Sequence, residues 1–86
     1  MQKPWLKSYP PGVPAEVNVA QYNSLVELLE ESYAKFAERD AAICMGARLK
    51  FRDVDRMSTS LAAWLQAKGL KPGARVAIMM PNVLQY

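Results

Sequence analysis

DVDRMSTSLAAWLQAKG (residues 53–69), followed by LKPGARVAIMM (residues 70–80), sets the plan of this chain. Val54, Met57, Ser58, Leu61, Ala62 and Leu65 recur at i, i+3, i+4, i+7, i+8 and i+11, the stripe of an amphipathic helix over Asp53–Lys68. Gly69 then suits a left-handed C′ residue, and Leu70 stands where a Schellman ending packs back on Leu65. Lys71-Pro72-Gly73-Ala74 has proline and glycine at the two central positions of a type II turn. Arg75–Met80 follows as an apolar run, which predicts a strand covered on both faces, as in a parallel sheet.

Working back from that helix, Ala41–Phe51 reads as a hairpin. Ala42–Met45 and Arg48–Phe51 are its expected arms, and Gly46-Ala47 its expected two-residue turn. Strand, helix and strand would then form a right-handed β-α-β crossover. Ser24 to about Glu38 predicts an earlier helix, opened by the capping-box pair Ser24 and Glu27. Its stripe is Leu25, Leu28, Leu29, Ser32, Phe36 and Ala37. Glu27, Glu30 and Glu31 lie early in it and Lys35 and Arg39 late, which suits the helix dipole.

Residues 1–23 predict an extended arm, because Pro4, Pro10, Pro11 and Pro14 each fix φ and remove a backbone donor. Trp5, Leu6, Tyr9, Val13, Val17 and Tyr22 are expected to pin it to the body. At the other end Pro81-Asn82 closes the last strand, and Asn82 suits the cap of a further helix. The expected fold class is α/β: arm, helix, β-hairpin, helix, buried strand. Residues 24–86 are expected to form an incomplete N-terminal subdomain, and the chain to be an opening piece of a larger protein.

Composition narrows the chemistry. The 86 residues are 51% hydrophobic and 22% charged, with a net charge of +3, too mild to predict a nucleic-acid partner. There is no histidine, so the commonest general base and metal ligand is missing. The one cysteine, Cys44, makes no internal disulfide and is expected to be a buried strand residue. Met45, Met57, Met79 and Met80 are expected in the core, and Glu30-Glu31 on a helix surface. Neither a signal peptide nor a membrane span is visible, so the expected location is cytoplasmic.

Gly12, Gly46, Gly69 and Gly73 are widely spaced and assemble no phosphate-cradling loop. Arg48, Lys50, Arg52 and Arg56 form the densest basic cluster, with Phe51 among them. Their favoured reading is a solvated face diluted by Asp53 and Asp55, against that of a nucleic-acid or anionic-lipid contact. No catalytic, cofactor-binding or metal-binding residue is assigned.

Several segments together resemble the adenylate-forming (AMP-forming) ligases, in particular the bacterial long-chain fatty acid–CoA ligases. Leu49-Lys50-Phe51-Arg52-Asp53-Val54 is similar to the early family motif Leu-(Thr/Ser)-Tyr-x-Glu-Leu, with Lys50 in place of the small hydroxyl residue. Gly69–Asn82 resembles Gly-Leu-x-x-Gly-Asp-x-Val-Ala-x-x-x-x-Asn, with Ala74 in place of Asp. Trp5–Pro10 with Val13–Val17, and Pro81–Tyr86, resemble segments of the long-chain subgroup.

The resemblance implies a parent enzyme that joins a fatty acid to ATP with Mg, then passes the acyl group to CoA. It also implies that the residues for this chemistry lie outside 1–86, so that this fragment alone is inactive scaffold. Peripheral association of the parent with the inner membrane face is a further expectation, as is self-association of the fragment. Two alternatives stand: a parent acting on another carboxylic acid, and a stand-alone interaction module using the arm and the basic stripe.

Overall fold

The computed structural model describes residues 2–86. Two helices pack beside a two-stranded antiparallel hairpin: α1 (Leu25–Phe36), β1 (Asp40–Cys44), β2 (Ala47–Lys50) and α2 (Phe51–Ala67). The result is mixed α/β, as the patterning predicts.

Helix α1 starts as its first residues dictate. The Glu27 amide donates to Ser24 Oγ at 3.1 Å. Glu27 returns the bond one residue further out than expected, accepting from the Asn23 amide at 2.9 Å. Leu28, Ser32, Phe36 and Ala37 are half-buried along the predicted stripe, while Leu25 stays 70% exposed. Helix α2 opens two residues earlier than the periodicity suggests, with Lys50 at its N-cap. Lysine has no acceptor, so only half a capping box forms there: Asp53 accepts from the Lys50 amide at 3.0 Å.

Both ends of the 69–74 stretch follow the sequence closely. The Leu70 amide donates to Leu65 O at 3.3 Å and the Gly69 amide to Gln66 O at 2.9 Å, the two bonds of a Schellman ending. Gly69 holds φ +86°, and a Cβ built there would meet nothing within 4 Å. The cost of a side chain is therefore backbone strain without steric clash. Gly69→Ala should lose about 1 kcal/mol of stability; an unchanged urea midpoint would contradict this. The Ala74 amide donates to Lys71 O at 2.9 Å and closes the expected turn.

The hairpin turn is displaced by one residue from its predicted place. Met45 (φ +50°) and Gly46 (φ +83°) are the central residues, and Cys44 pairs with Ala47. Positive φ at both positions is the primed geometry whose twist matches the flanking strands, and Met45 carries the strain. A bulge between Asp40 and Ala42 shifts the register near the open end of the hairpin.

The buried strand over 75–80, and with it the β-α-β crossover, is not present. Residues 75–80 run without helix or strand, and Val76, Ile78, Met79 and Met80 are exposed. Among the described residues no backbone bond joins this segment to another, so its donors and acceptors have no ladder to enter. Residues 82–86 form a turn rather than a capped helix, the Tyr86 amide donating to Val83 O at 3.0 Å.

The arm also departs from expectation. Pro4–Ser8 is a short 3-10 helix, compatible with proline because its ring stands at the first helical position. Residues 2–21 are exposed, including Trp5 and Tyr9, so the aromatics do not pin the arm; Tyr22 is the half-buried exception.

The radius of gyration is 18.0 Å, against about 12 Å for a compact domain of this length. Accessible area is 8055 Å², where a compact 9.6 kDa globule would expose about 5,100 Å². None of the described residues is fully buried. The methionines expected in the core are exposed: Met45 at 99%, Met79 at 97%, with Met57 and Met80 also open to solvent. Among the described residues no helix is long and apolar enough to cross a membrane.

Candidate functional site

The half-buried side chains gather where the end of α1 meets the start of α2. Phe36 and Phe51 stand 6.1 Å apart, centroid to centroid, tilted at 46°. Lys35 Nζ and the Arg39 guanidinium lie 5.3 Å and 5.0 Å from the Phe36 ring centre, within reach of a cation–π attraction. Beneath the rings the backbone is tied as well. The Phe51 amide donates to Arg39 O at 3.0 Å, and the Arg52 amide to Ala37 O at 3.1 Å.

An open groove of about 470 Å³ runs from this junction along the hairpin. Leu29, Tyr33, Ala41–Cys44, Leu49, Phe51 and Val54 line it on one side, and Asn82–Leu84 with Tyr86 on the other. Cys44 is half-buried there, less enclosed than expected, with Sγ 3.9 Å from Asn82 O. The lining contains no charged side chain. Its only polar side chains are those of Tyr33, Cys44, Asn82 and Tyr86, so the surface suits packing of chain against chain better than the capture of a phosphate.

A smaller groove of about 330 Å³ lies between the helices, bounded by Val26, Leu29, Tyr33, Ser58, Thr59 and Ala62, with Glu30 and Asp55 at its edge. Glu30 and Glu31 are exposed on the helix surface as expected, Glu30 bordering this groove. Among the described residues no group of three or more Cys, Asp or Glu could hold a metal ion.

Three of the four clustered basic residues are ion-paired across the fold, sharing two carboxylates between them. Arg48 pairs with Asp40 on the neighbouring strand. Glu38 receives both Lys50 Nζ at 3.0 Å and Arg52 Nη1 at 2.7 Å. Asp53 and Asp55 were the expected diluting charges; Glu38 and Asp40 take that part, because the chain reversal after α1 lays them beside β2 and the start of α2. The hydrogen bond from Lys50, helped by the charges of Arg52 and Lys50, holds the Glu38 carboxyl below its usual range against an opposing desolvation. Any stability from this contact is present above the ordinary carboxylate range and lost as pH falls through the lowered value. All three ion pairs are solvent-exposed, so salt screens them.

The profile of the family described as AMP-binding enzyme matches residues 29–86. The chain belongs to that family. The matched stretch begins inside α1 and takes in the Phe36–Phe51 junction, the hairpin, α2 and the turns that follow. Over 87 aligned residues it is 48% identical to the long-chain-fatty-acid–CoA ligase of Escherichia coli O6:H1, covering 100% of this chain and 16% of the relative. Identity to the ligase of the same name from Salmonella typhimurium is 49%, with the same coverage. It is 40% to that of Bacillus subtilis, over 98% of this chain and 15% of the relative. The chain thus spans about a sixth of the length of these curated relatives. No solved structure matches it significantly.

Proposed function

We propose that this chain is an N-terminal scaffold segment of a long-chain fatty acid–CoA ligase. The observation that carries the reading is identity of 48% along the whole chain to proteins of that name, of which it spans 16%. The local geometry supports it. Both family-like motifs begin at defined local geometry: one spans the β2–α2 junction beside the Phe36–Phe51 contact, and the other opens with the Gly69 ending and the 71–74 turn.

The parent enzyme would condense a fatty acid with ATP, releasing pyrophosphate, and pass the acyl group to CoA, with Mg as its metal. The residues described here do not fit ATP, Mg or CoA. The main groove is uncharged, three of the clustered cations are paired, and both helix N-termini are occupied by their own carboxylates. The segment would therefore position other parts of the enzyme and touch no reacting atom. A cytoplasmic parent, in peripheral contact with the inner membrane face, belongs to the same proposal; the single cysteine accords with a reducing compartment.

A chimera tests the assignment. Replacing the matching 87 residues of the Escherichia coli O6:H1 ligase with this chain should leave palmitate-dependent pyrophosphate release from ATP intact. A folded chimera without that activity would overturn the reading.

A further inference from the structure

Helix α2 starts on a residue that cannot cap it, because the lysine side chain has no acceptor. The first amides of any helix find no partner within its own backbone. Here the Lys50 amide donates to the Asp53 side chain. The next two go outside the helix: the Phe51 amide to Arg39 O at 3.0 Å, and the Arg52 amide to Ala37 O at 3.1 Å. Ala37 is the C-cap of α1, and the Arg39 amide bonds back to Phe36 O at 2.8 Å. A free carbonyl at the end of one helix thus meets a free amide at the start of the next, which brings opposite dipole ends together. Between the two accepting residues stands Glu38. Its carboxylate takes Lys50 Nζ at 3.0 Å on one oxygen and Arg52 Nη1 at 2.7 Å on the other.

We propose that residues 37–39 form a cap for α2 supplied from outside the helix, with Glu38 as its clasp, so that the first turn of α2 forms only when the end of α1 is in place. A serine, threonine, aspartate or asparagine at the N-cap would make the helix start self-sufficient. Lysine there gives up that bond, and its long stem reaches the exit of the preceding helix instead. Arg52 adds a second hold on the same carboxylate. Each exposed pair alone contributes little, but both pairs and both backbone bonds act on one three-residue segment. The end of α1, the reversal and the first turn of α2 therefore order or loosen as one unit, ahead of the rest of α2.

Amide hydrogen exchange in the 86-residue chain tests the proposal. Glu38→Gln keeps the shape of the side chain and removes its charge. At low salt the Phe51 and Arg52 amides should then exchange about threefold to fivefold faster, while those of residues 62–65 in the same helix change by less than about twofold. In about 1 M NaCl the difference between the two proteins should vanish. Unchanged protection at residues 51 and 52, or a loss spread evenly along α2, would overturn the proposal. Lys50→Ser supplies the missing cap and gives the second readout. It should slow exchange at residues 51 and 52 about fivefold in the Glu38→Gln background, and by less than about twofold with Glu38 present, where the cap is gained and the clasp lost. An equal gain in both backgrounds would also overturn the proposal, since Lys50 would then hold nothing. Where the isolated chain exchanges too fast to rank, the same variants in the chimera are read by the same criteria.

Discussion

The 86-residue chain alone should release no pyrophosphate from ATP and palmitate above a no-protein blank. Adenylate formation needs donors arranged around a transferring phosphoryl group, from cations, a metal or free helix N-termini. In this chain an amide at each helix start and three of the cations are already engaged. The Asn23 amide before α1 donates to Glu27, and the Lys50 amide at the start of α2 donates to Asp53, so a carboxylate already stands where a phosphate would sit. Arg48, Lys50 and Arg52 are engaged by Asp40 and Glu38. With no histidine in the sequence, the commonest general base is missing too. The expected loss relative to a complete ligase is the whole catalytic enhancement, about a millionfold or more. Turnover that scales with protein and survives repurification would show that these groups rearrange around ATP.

Phe51→Ala should cost the fold about 2 kcal/mol. Truncating a fully buried phenylalanine costs about 3–5 kcal/mol, and Phe51 is half-buried. The edge-tilted contact with Phe36 at 6.1 Å adds about 0.5–1.5 kcal/mol beyond area alone. The backbone bonds from Phe51 and Arg52 to Arg39 and Ala37 need no side chain, so the substitution isolates the ring. Phe51→Leu should recover most of the loss, since it keeps the apolar bulk and gives up only the aromatic contact. Urea unfolding followed by helical ellipticity measures both variants. A change below about 0.5 kcal/mol for Phe51→Ala, the range of surface substitutions, would place the organising contact elsewhere.

The basic cluster shows where sequence reading ends. Runs such as Arg48-Leu49-Lys50-Phe51-Arg52 display their cations but hide their partners, which lie 8 to 14 residues away in Asp40 and Glu38. The grooves were hidden for the same reason. Leu29, Cys44 and Leu84 share one lining only because the hairpin folds between α1 and the 82–86 turn. Turn placement failed more narrowly: glycine marks a position of positive φ, but does not say whether its partner in the turn comes before or after it. Met45 took the strained position, and the arms moved by one residue.

What the sequence settled by itself is local. The Ser24 cap, the Gly69 ending, the Lys71–Ala74 turn and the two amphipathic helices each depend on residues within one or two turns, whose sterics and hydrogen bonds are complete without the rest of the molecule. The tertiary structure alone decided which cations are ion-paired and which apolar residues are covered. It also decided that residues 75–80, strand-like in composition, remain unpaired in this chain. A helix satisfies its backbone within itself, whereas a strand is made only by a neighbour, and sequence composition cannot supply one.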